Sequence, residues 1–395
     1  MKHWKRLLAL LLSGAMALSL LACSPSANPT GGDPTAYPDG APSPSAPASA
    51  DPSGEPSASP AIEADLTQAP LEFSAGVNPE DVMLTINGED VPADRFFYLL
   101  GQACLRTEQY FAYFGMSLAD MPDAAGDLLE QGVQLSVYHT LMRQKAAELG
   151  CLPTDAQMEE VRQAMDEAGL DTAGPYWGLT EDGTRFIFEM TPYYENVLDA
   201  VTHEPDGQEL SEYLDSLKVY RVKHILLKTV DDSRQPLPED QTAEKKAQAE
   251  DLLSQLQGLS ADELHAKFDE LMMAHSEDNP QNNPDGYTAA SGEMVAPFEE
   301  ASLALKEGEI SGIVESEFGY HIILRLPLTD EAKAEYRNQF RVDALEDMAA
   351  QWIEDADVAR ADALGELNAI DFFLRLSAYQ KALAEKDAGE SGGEG

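Results

Sequence analysis

The chain has 395 residues, enough for two or three domains, and 43% of them are hydrophobic, as is usual for globular proteins. Its 71 acidic and 26 basic side chains give a formal net charge of −45, which disfavours nucleic acid as a partner and excludes attachment to an anionic membrane through a basic surface. Three scattered cysteines are too few for a disulfide framework or a zinc site. No G-x-x-x-x-G-K, H-E-x-x-H or G-x-S-x-G motif occurs, so we predict neither a metal nor a cofactor.

Residues 1–22 have the composition of a signal peptide, with a basic start and an apolar core that begins at Leu7. The sequence LLAC at residues 20–23 resembles the lipobox of bacterial lipoproteins. In that class the peptide is cut before the cysteine, which then carries fatty chains. The resemblance implies that Cys23 is lipidated and anchors the protein at the extracytoplasmic face of the cell membrane. An uncleaved transmembrane anchor is the alternative.

Residues 23–78 are rich in proline, serine, alanine and glycine, and contain few aromatic side chains. Such a stretch cannot bury enough apolar surface to offset the entropy lost on ordering. We therefore predict a disordered tether, which either lifts the folded part away from the membrane or is a passive spacer.

Residues 79–217 are predicted to form a mainly helical region with a small strand element in front. Apolar residues alternate with polar ones around Asn87-Gly88, the strongest short-range signal for a β-hairpin. Thr154 and Gln157 form a capping box, which marks the start of a helix. The predicted helices are Arg95–Gly115, Leu128–Leu149, Thr154 to about Ala168, Thr184–Ala200 and Gln208–Leu217.

Residues 218–328 have a different pattern, in which strands and helices follow each other over short distances. The predicted elements are a strand from Val219, helices at 244–256, 261–274 and 297–305, and strands at 313–314 and 320–326. This order predicts a small α+β domain with a mainly antiparallel sheet.

Residues 329–385 return to a helical pattern, and Tyr336, Phe340 and Trp352 lie on one side of the first helix. A tail of this length cannot make a large core alone, so we expect it to pack on residues 79–217. The acidic, glycine-rich end, residues 386–395, is predicted to be disordered. The predicted fold class is therefore α+β, with a small antiparallel-sheet domain inserted between two segments of a mainly helical domain.

Four stretches of the inserted domain resemble the parvulin family of peptidyl-prolyl isomerases, in family order and at family spacing. They are VKHIL at 222–226, HSED at 275–278, GEMVAPFEEA at 292–301, and GEIS at 308–311 followed by FGYHII at 318–323. The whole chain resembles the PrsA-type foldases of Gram-positive envelopes, and its flanks are similar, more loosely, to the chaperone regions of PrsA and SurA.

The parvulin resemblance implies a site of paired histidines, an acidic residue and an apolar wall. His224 and His321 match the two family histidines, and Asp278 matches the position that faces the rotating carbonyl. Met294 and Phe298 match the apolar pocket for the proline ring, although Phe298 also suits an ordinary core position.

The sequence departs from the parvulin pattern at two further positions that we assign to substrate binding. Gly286 lies in PDGYT at 284–288, which replaces the usual glycine-rich G-G-D-L-G turn and lacks its leucine. Phe318 stands where some relatives have a hydroxyl residue. The loop 229–240 has no basic cluster, which disfavours a preference for phosphoserine before proline.

Together these resemblances imply a lipid-anchored peptidyl-prolyl isomerase that helps exported proteins to fold outside the cytoplasmic membrane. Its expected partners are unfolded or partly folded polypeptides with X–Pro bonds. One alternative is a non-catalytic holdase whose parvulin domain only binds clients. Another is a solute-binding lipoprotein, which leaves the parvulin motifs unexplained. The sequence leaves open whether the chain forms a homodimer and whether Cys104 pairs with Cys151.

Overall fold

The structure is a computed structural model, and it describes residues 62–391 except 114, 168–173, 175 and 232–233. The predicted signal peptide, Cys23 and the first part of the tether lie outside the described residues. In chain order the elements are α1 (Pro70–Ala75), β1 (Val82–Ile86), β2 (Glu89–Pro92), α2 (Ala93–Tyr113), α3 (Ala125–Leu149), α4 (Asp155–Glu167), α5 (Glu181–Val201), α6 (Gly207–Leu217), β3 (Tyr220–Lys228), α7 (Glu239–Leu256), α8 (Ala261–His275), β4 (Tyr287–Ala289), α9 (Ala296–Ala304), β5 (Val314–Glu315), β6 (Gly319–Leu326), α10 (Asp330–Asp355), β7 (Val358–Arg360) and α11 (Ala369–Ser391).

Helix α1 shows that the chain folds before residue 79. Its Leu71 is fully buried in the core of the flanking region, and Phe73, which is 6% exposed, packs beside Tyr379 of α11. The prediction of a disordered tether up to residue 78 is therefore wrong for this part. These two apolar side chains, two positions apart, gain enough by burial to order a short helix that begins at a proline.

The predicted hairpin is present as β1 and β2, joined by Asn87 and Gly88. Both residues have positive φ angles, 51° and 85°, as a type I′ turn requires. Strand β7 adds to the other side of β1, which gives an antiparallel sheet in the order β2-β1-β7. The sequence analysis missed β7, a three-residue strand that depends on a partner more than 270 residues earlier in the chain.

The helices of the flanking region build two connected cores. In one, α2 and α3 pack with α1, the small sheet and α11. In the other, α3, α5 and α10 pack through Tyr138, Phe186 and Leu345. The predicted capping box at α4 is confirmed, because the Gln157 backbone N–H donates to the Thr154 hydroxyl and the Thr154 backbone N–H donates to the Gln157 side chain.

The segment after residue 329 packs back on the N-terminal flank. The Phe372 ring of α11 lies 4.8 Å from the Phe97 ring of α2, and the Tyr379 hydroxyl donates to the Gln68 carbonyl. Helix α11 runs to Ser391, past residue 386, where the sequence predicted the start of a disordered tail. The prediction is wrong for residues 386–391, because α11 continues in helical conformation beyond the part that is buried against the N-terminal flank.

The inserted domain is a four-stranded antiparallel sheet in the order β4-β3-β6-β5. Alternate residues of the two central strands point to opposite faces. Ile225 and Ile322 pack with α7 and α8 on one face, whereas Val222 and Ile323 pack with α9 on the other. The predicted α+β fold class, with this domain inserted in a mainly helical one, is confirmed.

Three further observations concern the part of the chain that the structure describes. None of its helices is long and apolar enough to cross a membrane. Cys104 and Cys151 are both free thiols. Between residues 62 and 391, the described residues contain no group of three or more histidine, cysteine, aspartate or glutamate side chains that could hold a metal ion.

Candidate active site

The pairing of β3 with β6 brings the two predicted histidines together. His224 is opposite Ile323 and Leu226 is opposite His321, so the two histidines are diagonal neighbours on one face of the sheet. Their rings are nearly parallel, with centroids 5.4 Å apart. Both side chains are almost fully buried, with 8% of His224 and 3% of His321 exposed. The face that they share is the one covered by α9.

Asp278 is held beside these histidines by the turn that follows α8. The Ser276 hydroxyl accepts a hydrogen bond from the Leu226 backbone N–H, and the Glu277 backbone N–H donates to the Leu226 carbonyl. The turn is thus fixed to β3 through both the backbone N–H and the carbonyl of Leu226. This attachment places the Asp278 carboxylate, 8% exposed, next to the ring of His224.

The polar side chains form one continuous hydrogen-bonded network. His224 Nε2 lies 2.7 Å from Asp278 Oδ2, and His224 Nδ1 lies 3.2 Å from His321 Nδ1. His321 Nε2 is in turn 2.7 Å from the hydroxyl oxygen of Ser316, which accepts the Phe318 backbone N–H. At the other end, the Tyr287 hydroxyl donates to Asp278 Oδ2 at 2.9 Å.

The network has one consistent set of protons when Asp278 is ionised and both histidines are neutral. An ionised carboxylate only accepts, so His224 Nε2 carries a proton and donates it. His224 Nδ1 then accepts from the N–H of His321 Nδ1, and His321 Nε2 accepts from Ser316. We assign these tautomers from the network, in which every hydrogen bond points towards Asp278.

The electrostatics of the site agree with a neutral His321 and an ionised Asp278. Burial, and next the charge that His224 can carry, lower the pKa of His321 to about 3, so its ring is neutral at physiological pH. Burial opposes ionisation of Asp278, but the hydrogen bond from His224, the charge that His224 can carry and the hydrogen bond from Tyr287 together outweigh it, and the pKa of this carboxyl lies below its ordinary value. Asp278 is therefore a buried negative charge at neutral pH.

Of the predicted apolar pair, Phe298 lies against both histidines, and Met294 packs on the cluster that contains Phe298. The Phe298 ring of α9 meets His224 edge to face at 5.1 Å, and its centroid is 5.2 Å from that of His321. Phe298 is only 4% exposed and packs with strand residues, so it belongs to the domain core as well as to the site. Met294 is half-buried against the same cluster and offers the accessible apolar surface.

The two positions that depart from the family pattern have clear structural settings. Gly286 has a φ of 89°, and a Cβ atom there would lie 2.3 Å from the Val222 carbonyl oxygen, which excludes the leucine of the usual turn. Gly286 borders a small surface cleft together with Lys223, Asp278 and Tyr287. The Phe318 ring lies under the guanidinium group of Arg234, 6.0 Å away, and its backbone supports Ser316.

The sequence analysis missed two members of the network, Ser316 and Tyr287. Ser316 lies five residues before His321 in the tight turn from β5 to β6, a spacing that could have indicated it. Tyr287 carries a weaker signal, since it is a bulky residue within the altered glycine-rich turn. The structure brings together His224, His321, Asp278, Met294 and Phe298, whereas Phe318 joins them only through its backbone.

Comparisons with known proteins agree with this geometry. The sequence profile of the rotamase family, described as the PPIC-type PPIase domain, matches residues 224–326. The foldase protein PrsA of Geobacillus kaustophilus is 32% identical over 220 residues, which are 54% of this chain and 68% of that protein. The Pin1 peptidyl-prolyl isomerase of Digitalis lanata is 37% identical over 27% of this chain and 93% of its own length.

A third relative sets the limit of the likeness. The Cbf2 protein of Campylobacter jejuni, named as a peptidyl-prolyl cis-trans isomerase, is 34% identical over 38% of this chain, and the matched part spans 52% of its length. The likeness to Pin1 covers the inserted domain, and the likeness to PrsA extends into the flanks. The chain therefore belongs to the parvulin family of peptidyl-prolyl isomerases, with foldases named PrsA among its relatives.

Proposed function

We propose that this protein is a lipid-anchored peptidyl-prolyl cis-trans isomerase that assists the folding of exported polypeptides outside the cytoplasmic membrane. The observation that carries the proposal is the buried network of Asp278, His224 and His321 beside the apolar surface of Phe298 and Met294. A proline ring needs an apolar wall, and a rotating amide needs fixed polar groups close to its carbonyl. The site offers both within one face of one sheet.

The chemistry asked of this site is rotation about a C–N bond, with a barrier of about 18–20 kcal/mol. No covalent bond breaks, so neither a nucleophile nor a metal is required. In the planar amide, resonance places partial negative charge on the carbonyl oxygen, and this charge falls as the bond twists. A carboxylate close to that oxygen therefore disfavours the planar amide more than the twisted one. A thousandfold acceleration needs a difference of only about 4 kcal/mol.

The roles within the site follow from this argument. Asp278 supplies the negative charge that faces the rotating carbonyl. His224 holds Asp278 by the hydrogen bond from Nε2, and His321 fixes the ring of His224 through Nδ1. Met294 and Phe298 hold the proline ring, Gly286 lets the turn beside the cleft approach the backbone of Val222, and Phe318 borders the site on the side of the turn from β5 to β6.

The proposal is tested by measuring turnover of a panel of X–Pro peptides that differ in the residue before proline. We expect catalysed isomerisation by the purified protein, with no preference for phosphoserine. A holdase is the second candidate, and it predicts a different pair of results. The isomerase proposal fails if well-folded protein prevents the aggregation of an unfolded client but turns over no peptide of the panel.

The anchor is proposed from the sequence LLAC at 20–23 and from the PrsA relatives. Stable attachment needs more than one acyl chain, which a lipidated amino-terminal cysteine provides. We expect Cys23→Ala to leave the protein unprocessed or to release it from the membrane fraction, as followed by fractionation and mass spectrometry. Cys151→Ala is the matched control and should stay attached. Mature wild-type protein that lacks lipid and begins at another residue would contradict the anchor.

A further inference from the structure

Tyr287 is a structural link between the altered turn and the polar network. It begins β4 and pairs with Val222 of β3, directly after Gly286. Its hydroxyl donates to Asp278 Oδ2 at 2.9 Å, and its ring stands perpendicular to that of His224, at 89° and with 5.5 Å between the centroids. The side chain of Tyr287 thus contacts both Asp278 and His224.

Two donors converge on the same oxygen of Asp278, namely the Tyr287 hydroxyl and His224 Nε2. Neither of these two hydrogen bonds uses Oδ1, so both donors hold the carboxylate through the same oxygen. A hydrogen bond to a charged group contributes more than a neutral one, and it fixes the plane of the carboxylate. The ring of Tyr287, packed edge to face, restricts the rotation of the His224 imidazole in addition.

The backbone explains why Tyr287 reaches this position. Gly286 lies so close to the Val222 carbonyl that only glycine fits, and the next residue is held by pairing with Val222. The turn therefore has no side chain at residue 286, and the side chain of residue 287 points towards Asp278. Tyr287 is half-buried, so its contacts involve the site more than the core of the domain.

We propose that Tyr287 is a positioning residue of this site, which holds the Asp278 carboxylate and the His224 ring in the orientation that amide rotation requires. The inference rests on the proposed isomerase function and adds to it a residue outside the resemblance. The direction of the pKa of Asp278 is consistent with it, because burial raises that pKa, and the hydrogen bond and charge of His224 together with the hydrogen bond from Tyr287 lower it below the ordinary value.

The test uses the full chain with Tyr287→Phe, which keeps the ring and removes only the hydroxyl. Loss of a hydrogen bond to a charged group predicts a decrease in kcat/KM of about tenfold to 150-fold, carried by kcat. Because the pKa of Asp278 should rise, the acid limb of the pH profile should move to higher pH. Tyr287→Ala should lower the activity further, since the ring is lost as well.

A matched control lies in the flanking region. The Tyr213 hydroxyl of α6 donates to Asp343 Oδ2 of α10 at 2.6 Å, so Tyr213→Phe makes the same chemical change to the same kind of pair outside the inserted domain. It should leave kcat/KM and the pH profile unchanged. If Tyr287→Phe keeps the acid limb of the wild-type pH profile, the positioning role is wrong. A loss of activity that is accompanied by a lower melting temperature, with the acid limb unchanged, would show that Tyr287 only stabilises the fold.

A second measurement separates this inference from the proposed function. Carboxyl ¹³C NMR follows the ionisation of Asp278 directly and needs no turnover. A higher pKa of Asp278 in Tyr287→Phe supports the link even in a protein that shows no isomerase activity. An unchanged titration of Asp278 overturns it, whatever the activity of the wild-type protein.

Discussion

Asp278→Ala is expected to lower kcat/KM for an X–Pro peptide by about tenfold to a thousandfold, which corresponds to about 1.4–4 kcal/mol of transition-state stabilisation. The substitution removes the negative charge that faces the carbonyl and leaves His224 Nε2 without its acceptor. His224→Ala should have an effect in the same range, because Asp278 then loses a donor and the network is broken between Asp278 and His321. The measurement is a protease-free isomerisation assay on the full chain.

Loss of the fold is the competing explanation for such a decrease, and two controls address it. Asp343→Ala removes another aspartate that accepts a tyrosine hydroxyl, but in the flanking region, and should keep wild-type turnover. Thermal unfolding of each variant shows whether the inserted domain is intact. Full activity in a folded Asp278→Ala variant would contradict the role of this carboxylate.

The same carboxylate shows what could be predicted from the sequence. HSED and VKHIL identify Asp278 and His224 as members of one site because motifs in family order imply one fold. The register of β3 and β6, which makes His224 and His321 diagonal neighbours, could not be derived from the sequence pattern, because β6 is buried at nearly every position. The resemblance therefore identified Asp278 and His224 and the apolar residues near them, but it did not indicate which atoms donate and which accept the hydrogen bonds.

The sequence signals for Tyr287 and Ser316 are weaker than those of the motif residues. Their roles depend on a hydroxyl reaching a particular atom, and a sequence pattern carries no such distance. Strand β4 was hidden in a turn-rich segment, since its three residues form a strand only because β3 offers an unpaired edge. The same holds for β7 beside β1. Local patterns predict elements that are stable through their own periodicity, whereas short strands depend on distant partners.

The second large expected effect concerns the stability that helix α11 gives to the flanking region. Phe372 of α11 is 1% exposed and packs against Phe97 in a core that also contains Leu71 and Leu100. Phe372→Ala should lower the free energy of unfolding of this region by about 3–5 kcal/mol, since the cavity adds to the lost transfer free energy. Urea denaturation followed by the fluorescence of Trp177 and Trp352, which pack against this core, measures the effect.

Isomerase turnover should survive this substitution, because the cores of the inserted domain and of the flanks share no buried residue. Phe340→Ala is the matched control. Phe340 is half-buried beside Tyr213, so its truncation removes less buried apolar surface than that of Phe372 and should lower the free energy of unfolding less. An unchanged denaturation midpoint in Phe372→Ala would show that α11 adds no stability to the N-terminal flank. Simultaneous loss of turnover would show instead that the inserted domain depends on the flanks for its fold, since the site itself contains no residue of α11.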